Sequence, residues 1–140
     1  TVTGMQYKAA EGFTLAFQNG WEKEAYTNGK IWQVATLRPG KYRLEVTYAY
    51  TMVVSDAVNF ISALMAKGNS ESDIPNVADI EQLNGVCAIY DKAGTNDDSG
   101  VLVTPSFEVT ETTDVVIGFL TSLAKGNSYF KVTELKLILE

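Results

Sequence analysis

Histidine is absent from the 140-residue chain, which removes the commonest general base and the usual activator of a serine or cysteine nucleophile. The single cysteine, Cys87, has no partner for an internal disulfide and lies in the apolar run 86–90, as a buried cysteine does. Basic residues are scarce: 11 against 17 acidic residues leave a net charge of −6, which argues against binding to a nucleic-acid backbone. We therefore predict a non-enzymatic protein with no nucleic-acid partner and no catalytic residues.

Long apolar runs are also lacking. No segment approaches the roughly 20 apolar residues that a membrane-spanning helix needs, so no membrane insertion by this segment is expected. Hydrophobic residues make up 46% of the chain and charged residues 20%, which is typical of a globular domain. The length is that of one domain, and because the chain does not begin with methionine we expect residues 1–140 to be a single domain excised from a longer protein.

An alternation of apolar and polar residues with a period of two dominates the first half of the chain. Phe13, Leu15 and Phe17 form one such series, and residues 42–50 form a longer one with an apolar or aromatic residue at every even position. Residues 30–37 predict another strand just before it. Residues 38–40 are Arg-Pro-Gly, a tight-turn sequence, so the two strands are predicted to pair as a hairpin.

Further short strands are predicted after this pair. Residues 86–90 and 107–110 are candidates, and residues 114–120 are apolar on both parities, as in a strand covered on both faces. In the last strand the apolar parity switches at Thr133-Glu134, which predicts a β-bulge or a change of partner. Residues 91–100 are predicted to form a long loop. Seven or eight short strands with Gly- and Asn-rich turns predict an all-β, antiparallel sandwich of jelly-roll type.

Two segments are ambiguous. Residues 57–67 fit a helix by their period and a strand by their composition, with a slight preference for the strand. Residues 74–84 have an early proline and end at Asn-Gly, which predicts one short helix or helical turn.

Aromatic and polar loop residues are the best candidates for ligand binding. Trp21 lies in a turn-rich polar stretch, where an exposed ring could stack on a sugar, although such a residue more often plugs the edge of the sandwich. Tyrosines flank two of the predicted loops, and an Asn-Asp-Asp run offers groups that bind hydroxyls. The candidate ligand-binding residues are Trp21, Tyr26, Tyr90, Asn96, Asp97 and Asp98.

The same acidic run at residues 96–100 resembles a calcium-binding loop in composition. With Gly100 in the glycine position of an EF-hand loop, however, the position of the closing glutamate falls on Ser106. A structural calcium ion is therefore left open but not indicated, and no cofactor or metal site is predicted.

The sequence Asn-Gly-Lys-Ile-Trp-Gln-Val-Ala-Thr-Leu-Arg-Pro-Gly-Lys-Tyr-Arg-Leu-Glu-Val at residues 28–46 resembles a hairpin of galactose-binding-domain-like β-jelly rolls. Residues 129–137 are similar to the last strand of those domains, and many of them are carbohydrate-binding modules. The chain is also similar to uncharacterised C-terminal domains of surface lipoproteins in polysaccharide-degrading gut bacteria. This resemblance implies carbohydrate and neighbouring domains of the same polypeptide as partners, and an extracellular, cell-surface or periplasmic location.

Two functions follow as the main expectations, and a carboxylate-based glycoside hydrolase is a third that the sequence supports least. The first is a non-catalytic carbohydrate-binding-like module of a larger secreted or surface protein. The alternative is a structural spacer or protein-docking domain with no glycan ligand.

Overall fold

The computed structural model describes residues 4–7, 15–19, 24–124, 126 and 128–140. Within them it contains ten strands and two 3₁₀ turns. The turns are Glu71–Asp73 and Val77–Gln82. The strands are β1 (Gly4–Tyr7), β2 (Leu15–Asn19), β3 (Tyr26–Leu37), β4 (Gly40–Thr51), β5 (Phe60–Lys67), β6 (Gly85–Ile89), β7 (Asp98–Val103), β8 (Phe107–Val109), β9 (Thr113–Leu123) and β10 (Ser128–Leu139).

The strands form two sheets that pack face to face. The first sheet has the order β1-β2-β10-β4-β7, with β8 also paired to β4, and the second has the order β3-β9-β5-β6. Every strand pair is antiparallel. The predicted all-β antiparallel sandwich is thereby confirmed. In the described residues neither 3₁₀ turn, nor any other helix, has the length and apolar content needed to cross a membrane.

Strand β9 lies at the centre of the second sheet and is covered on both faces. It pairs with β3 on one side and β5 on the other, and residues 115–120 are all buried. Its inward side chains, such as Ile117 and Phe119, join the core between the sheets. Val116 and Leu120 point outward and pack with Ile74 in a separate apolar cluster. The predicted strand with two buried faces is confirmed, and the segment 68–84 supplies its outer cover.

The structure decides between the alternatives for both ambiguous segments. Residues 60–67 form strand β5, and the predicted helical turn is the 3₁₀ turn Val77–Gln82. The outer cover, segment 68–84, is tied to β3 by polar contacts: Lys30 Nζ donates to the Ile74 carbonyl (2.7 Å), and the Val77 amide donates to Asn28 Oδ1 (2.8 Å). These bonds hold the segment across the face that β9 would otherwise expose.

The predicted hairpin of β3 and β4 is wrong. Strand β3 pairs with β9 in the second sheet, whereas β4 pairs with β10, β7 and β8 in the first. The Arg-Pro-Gly turn therefore carries the chain from one sheet to the other, and the Tyr42 hydroxyl donates to the Arg38 carbonyl across it (2.7 Å). Leu37 and Tyr42 face the same core cluster from opposite sheets, which satisfies the same alternating pattern as a hairpin.

The predicted irregularity in the last strand is confirmed. Val132 lies opposite Tyr48 but Glu134 lies opposite Thr47, so Thr133 is an extra residue in β10. The strand also changes partners here, since its pairing with β2 runs only from Ser128 to Val132. The bulge restores Leu135 to the core side after Val132.

We predict that Gly118→Ala destabilises the protein by about 1–3 kcal/mol. A Cβ at this position would clash with the Ile31 carbonyl oxygen and lie 2.8 Å from Trp32 Cα, so β3 would have to move away from β9. Urea unfolding measures the change. The control is Gly40→Ala, whose Cβ would lie 2.8 Å from the flexible end of Leu139 and in ordinary contact with the Tyr42 ring at 3.5 Å. This substitution should alter stability by less than about 0.5 kcal/mol. Equal effects of the two substitutions would contradict this account of β9.

Candidate functional site

One end of the sandwich gathers most of the sequence candidates. At this end, called the loop end below, β2, β4, β6 and β9 stop and β3, β5, β7 and β10 begin. Side-chain amides join the segments where the strand ladders stop. The Ala124 amide donates to Asn59 Oδ1, and the Ala124 carbonyl accepts from Asn19 Nδ2, both at 2.7 Å. The loops at this end therefore start from fixed positions.

Beneath the loop 90–98 lies a cluster of three aromatic rings. The Tyr90 ring centroid is 5.3 Å from that of Tyr48 and 5.1 Å from that of Phe130, with edge-to-face geometry in both pairs. Tyr90 is only 8% exposed, and its hydroxyl donates to Asp98 Oδ2 (2.8 Å). The tyrosine and the aspartate therefore bind each other and anchor the loop from below.

The buried hydroxyls of this cluster hold their protons more tightly than free tyrosine. Burial, followed by the neighbouring Asp98 carboxylate, raises the pKa of Tyr48 to about 12. The pKa of Tyr90 is raised as well, first by burial and then by its hydrogen bond to Asp98. The neutral phenols are thus the forms that the folded protein stabilises.

The remaining candidates lie at two corners of the loop end. Asn96 and Asp97 are exposed in the loop before β7, and Asp97 has a left-handed backbone (φ 52°). Tyr26 begins β3 and is partly buried, with its hydroxyl 3.1 Å from Thr121 Oγ1, and burial raises its pKa. Three strand spacings, about 14 Å, separate β3 from β6, so Tyr26 and Tyr90 occupy different corners. Trp21 lies outside the described residues.

Tyr50 is an exposed aromatic residue that the sequence reasoning missed. The alternation in β4 places it on the buried face, yet 71% of it is exposed. Between Tyr48 and Thr51 the pairing with β7 shifts by a β-bulge, and Tyr50 has φ 54°, which is rare for a bulky side chain. Its amide donates to Ser99 Oγ (3.3 Å), which places it beside the start of β7. Beyond the bulge Thr51 and Val53 are buried, a change of parity that the sequence Thr-Met-Val-Val at residues 51–54 does not reveal.

The side chains at this end of the sandwich are suited to binding a ligand rather than to a chemical reaction. Tyr50 presents a ring to solvent, and Asn96 and Asp97 present hydrogen-bonding groups on the strand connection next to it. Over the described part of the chain, no three His, Cys, Asp or Glu side chains lie close enough together to hold a metal ion.

Fold and loop end together define an antiparallel β-sandwich domain with a polar, aromatic-bearing end. The chain belongs to the family described as a domain of unknown function, DUF5013, whose model matches residues 2–118. The match therefore includes β1 to β8 and ends within β9. A search of curated proteins found no significant match.

We predict that Tyr90→Phe lowers the free energy of unfolding by about 1–3 kcal/mol, because it removes a buried hydrogen bond to a carboxylate. Urea unfolding at neutral pH provides the measurement. Tyr50→Phe removes the same hydroxyl from an exposed ring and should change stability by less than about 0.5 kcal/mol. A Tyr90→Phe variant as stable as the parent would show that the bond to Asp98 does not anchor the loop.

We also predict a loss of stability at alkaline pH. Tyrosine in the unfolded chain has a pKa of about 10, whereas folded Tyr48 has a pKa of about 12 and keeps its proton up to that pH. Above pH 10 the folded state therefore binds more protons, and the free energy of unfolding falls as the pH rises. Tyr48→Phe should reduce this slope in a series of urea titrations. A slope that is unchanged in the variant would contradict the assignment to Tyr48.

Proposed function

We propose that this chain is a non-catalytic carbohydrate-recognition module of a larger protein that lies outside the cytoplasm, at the cell surface or in the periplasm. The observation that carries the proposal is Tyr50, a tyrosine 71% exposed at a β-bulge beside a polar loop. Sugar rings present C–H groups on one face and hydroxyls around the edge, so an exposed aromatic ring with nearby polar side chains matches both.

The backbone at Tyr50 supports this proposal. A bulky residue with positive φ is unfavourable by roughly 1–3 kcal/mol and persists where the surrounding structure holds it. Here the bulge and the bond from its amide to Ser99 Oγ hold the backbone, while the ring makes little use of the core. The conformation keeps a large apolar ring in solvent, which favours an external contact for that ring.

The polar groups of the site lie on the connection that leads into β7. Thr51 lies opposite Asp98, so Asn96 and Asp97 follow directly along the rim from Tyr50. The Gly94 amide donates to the Val53 carbonyl (2.6 Å) and fixes this connection against the segment after β4. A rim held in this way can bind sugar hydroxyls without ordering a loop first.

The resemblance of residues 28–46 to galactose-binding-domain-like jelly rolls is consistent with this function. The antiparallel sandwich and the aromatic residues at the loop end support the proposed function. We include the relationship to those jelly rolls in the proposal. Tyr26 remains a candidate for contacts at the opposite corner of the loop end, and Trp21 remains a candidate from the sequence.

The test is a glycan-array screen with a pull-down on insoluble plant, host and microbial polysaccharides, with and without a chelator. We predict that Tyr50→Asn weakens binding by about tenfold or more, as expected for an aromatic anchor. Asparagine tolerates the left-handed backbone, so the substitution removes the ring without adding strain. Tyr50→Phe keeps the ring and should retain binding.

The matched control is Trp32→Ala, which removes another partly exposed aromatic residue, 37% exposed, from the middle of β3. It should bind glycans as well as the parent. Trp21→Ala tests the sequence prediction in the same assay. Absence of binding to every glycan would overturn the proposal and favour a structural spacer, and glycan binding that survives Tyr50→Asn would overturn the role of Tyr50.

A further inference from the structure

A concave site lies away from the loop end, between the two sheets on the side of β3. This cleft has a volume of about 610 Å³. Its floor is apolar and comes from both sheets, with Ile31, Ile117 and Phe119 on one side and Leu15 and Leu135 on the other. The volume falls within the range of about 300–1,000 Å³ that is usual for small-molecule sites.

Polar side chains lie along the rim of the cleft. Gln33 has the core-facing parity of Ile31 and Ala35 on β3, yet it is exposed, so its amide borders the opening. The bulge in β10 brings Thr133 and Glu134 to the opposite rim. The Thr133 hydroxyl donates to the Thr47 carbonyl (3.3 Å), which leaves its oxygen able to accept a hydrogen bond.

The charges at the rim restrict the ligand further. Glu134 is the only charged residue among the described lining residues, and Lys136 Nζ lies 3.3 Å from its carboxylate. An anionic headgroup would therefore meet a carboxylate whose neighbouring lysine is already paired. Groups that donate hydrogen bonds, by contrast, find acceptors in Gln33, Thr133 and Glu134.

We propose that this cleft binds an uncharged, mainly apolar small molecule with a hydrogen-bond donor at one end. The apolar body lies on Ile117, Phe119 and Leu135, and the donor group meets Gln33 and Thr133 at the rim. The site is independent of the glycan site at the loop end. Because the lining ends at Leu135 and does not continue along the exposed Leu137 and Leu139, the shape fits a compact ligand better than an extended peptide.

The experiment titrates the protein with N-phenyl-1-naphthylamine, a neutral apolar dye with one N–H donor, and with anilinonaphthalene sulfonate, its anionic counterpart, following dye fluorescence. The parent should bind the neutral dye saturably at one site and bind the anionic dye at least about tenfold more weakly. Gln33→Trp places a large ring at the opening and should weaken binding of the neutral dye by about tenfold or more. Val103→Trp adds the same ring on β7, where Val103 is 50% exposed, and should bind the neutral dye like the parent.

Amide chemical shifts provide a second measurement that does not depend on a variant. The neutral dye should shift the resonances of Gln33, Gly118 and Leu135 and leave those of Asn96 and Asp97 in place. The proposal is overturned if the neutral dye does not bind saturably, if Gln33→Trp and Val103→Trp bind it alike, or if the shifts lie elsewhere. Tighter binding of the anionic dye would overturn the proposed ligand class.

Discussion

The rest of the structure depends on the burial of β9 on both faces. Six consecutive residues, 115–120, are removed from water, and a large aliphatic or aromatic side chain contributes about 1.5–3 kcal/mol when fully buried. The inner face requires the first sheet, and the outer face requires the segment 68–84. Gly118 lets β3 lie close against the middle of the strand. The course of β9 then places both candidate sites: Ala124, just beyond its last residue, is fixed at the loop end, and residues 117–119 line the cleft.

At the loop end, side chains replace the hydrogen bonds that a sheet ladder would make. Asn59 accepts from the Ala124 amide and Asn19 donates to the Ala124 carbonyl, while Ser128 Oγ accepts from the Val54 amide (3.1 Å). Buried polar groups are tolerated when their hydrogen bonds are satisfied, and such networks fix one geometry. The Tyr90–Asp98 pair extends the same principle to the loop before β7. A preorganised rim of this kind suits recognition because little entropy is lost when a ligand binds.

The sequence predicts elements well where the signal is local. The doubly apolar run of β9 and the parity switch at Thr133-Glu134 both identify real features, because a strand reports which of its side chains share a face. The same alternation does not show which sheet a strand joins. The pattern therefore predicts a hairpin at residues 38–40, where the chain in fact crosses from one sheet to the other. The exposure of Tyr50 is not predictable from the pattern for a related reason, because one extra residue in β4 reverses the parity that the pattern assumes.

The two bulges are connected through one pair of residues. Tyr48 lies opposite Val132; the β4 bulge follows Tyr48 toward the loop end, and the β10 bulge follows Val132 in the other direction. Met52 bridges to Tyr129, so four steps along β4 match three along β10, and the extra residue must leave the ladder. The extra residue in β4 is the reason that the Tyr50 side chain is exposed to solvent. The extra residue in β10, Thr133, places polar side chains at the cleft. Both candidate sites thus follow from the register of two neighbouring strands, since a bulge can redirect a side chain without disturbing the core beneath it.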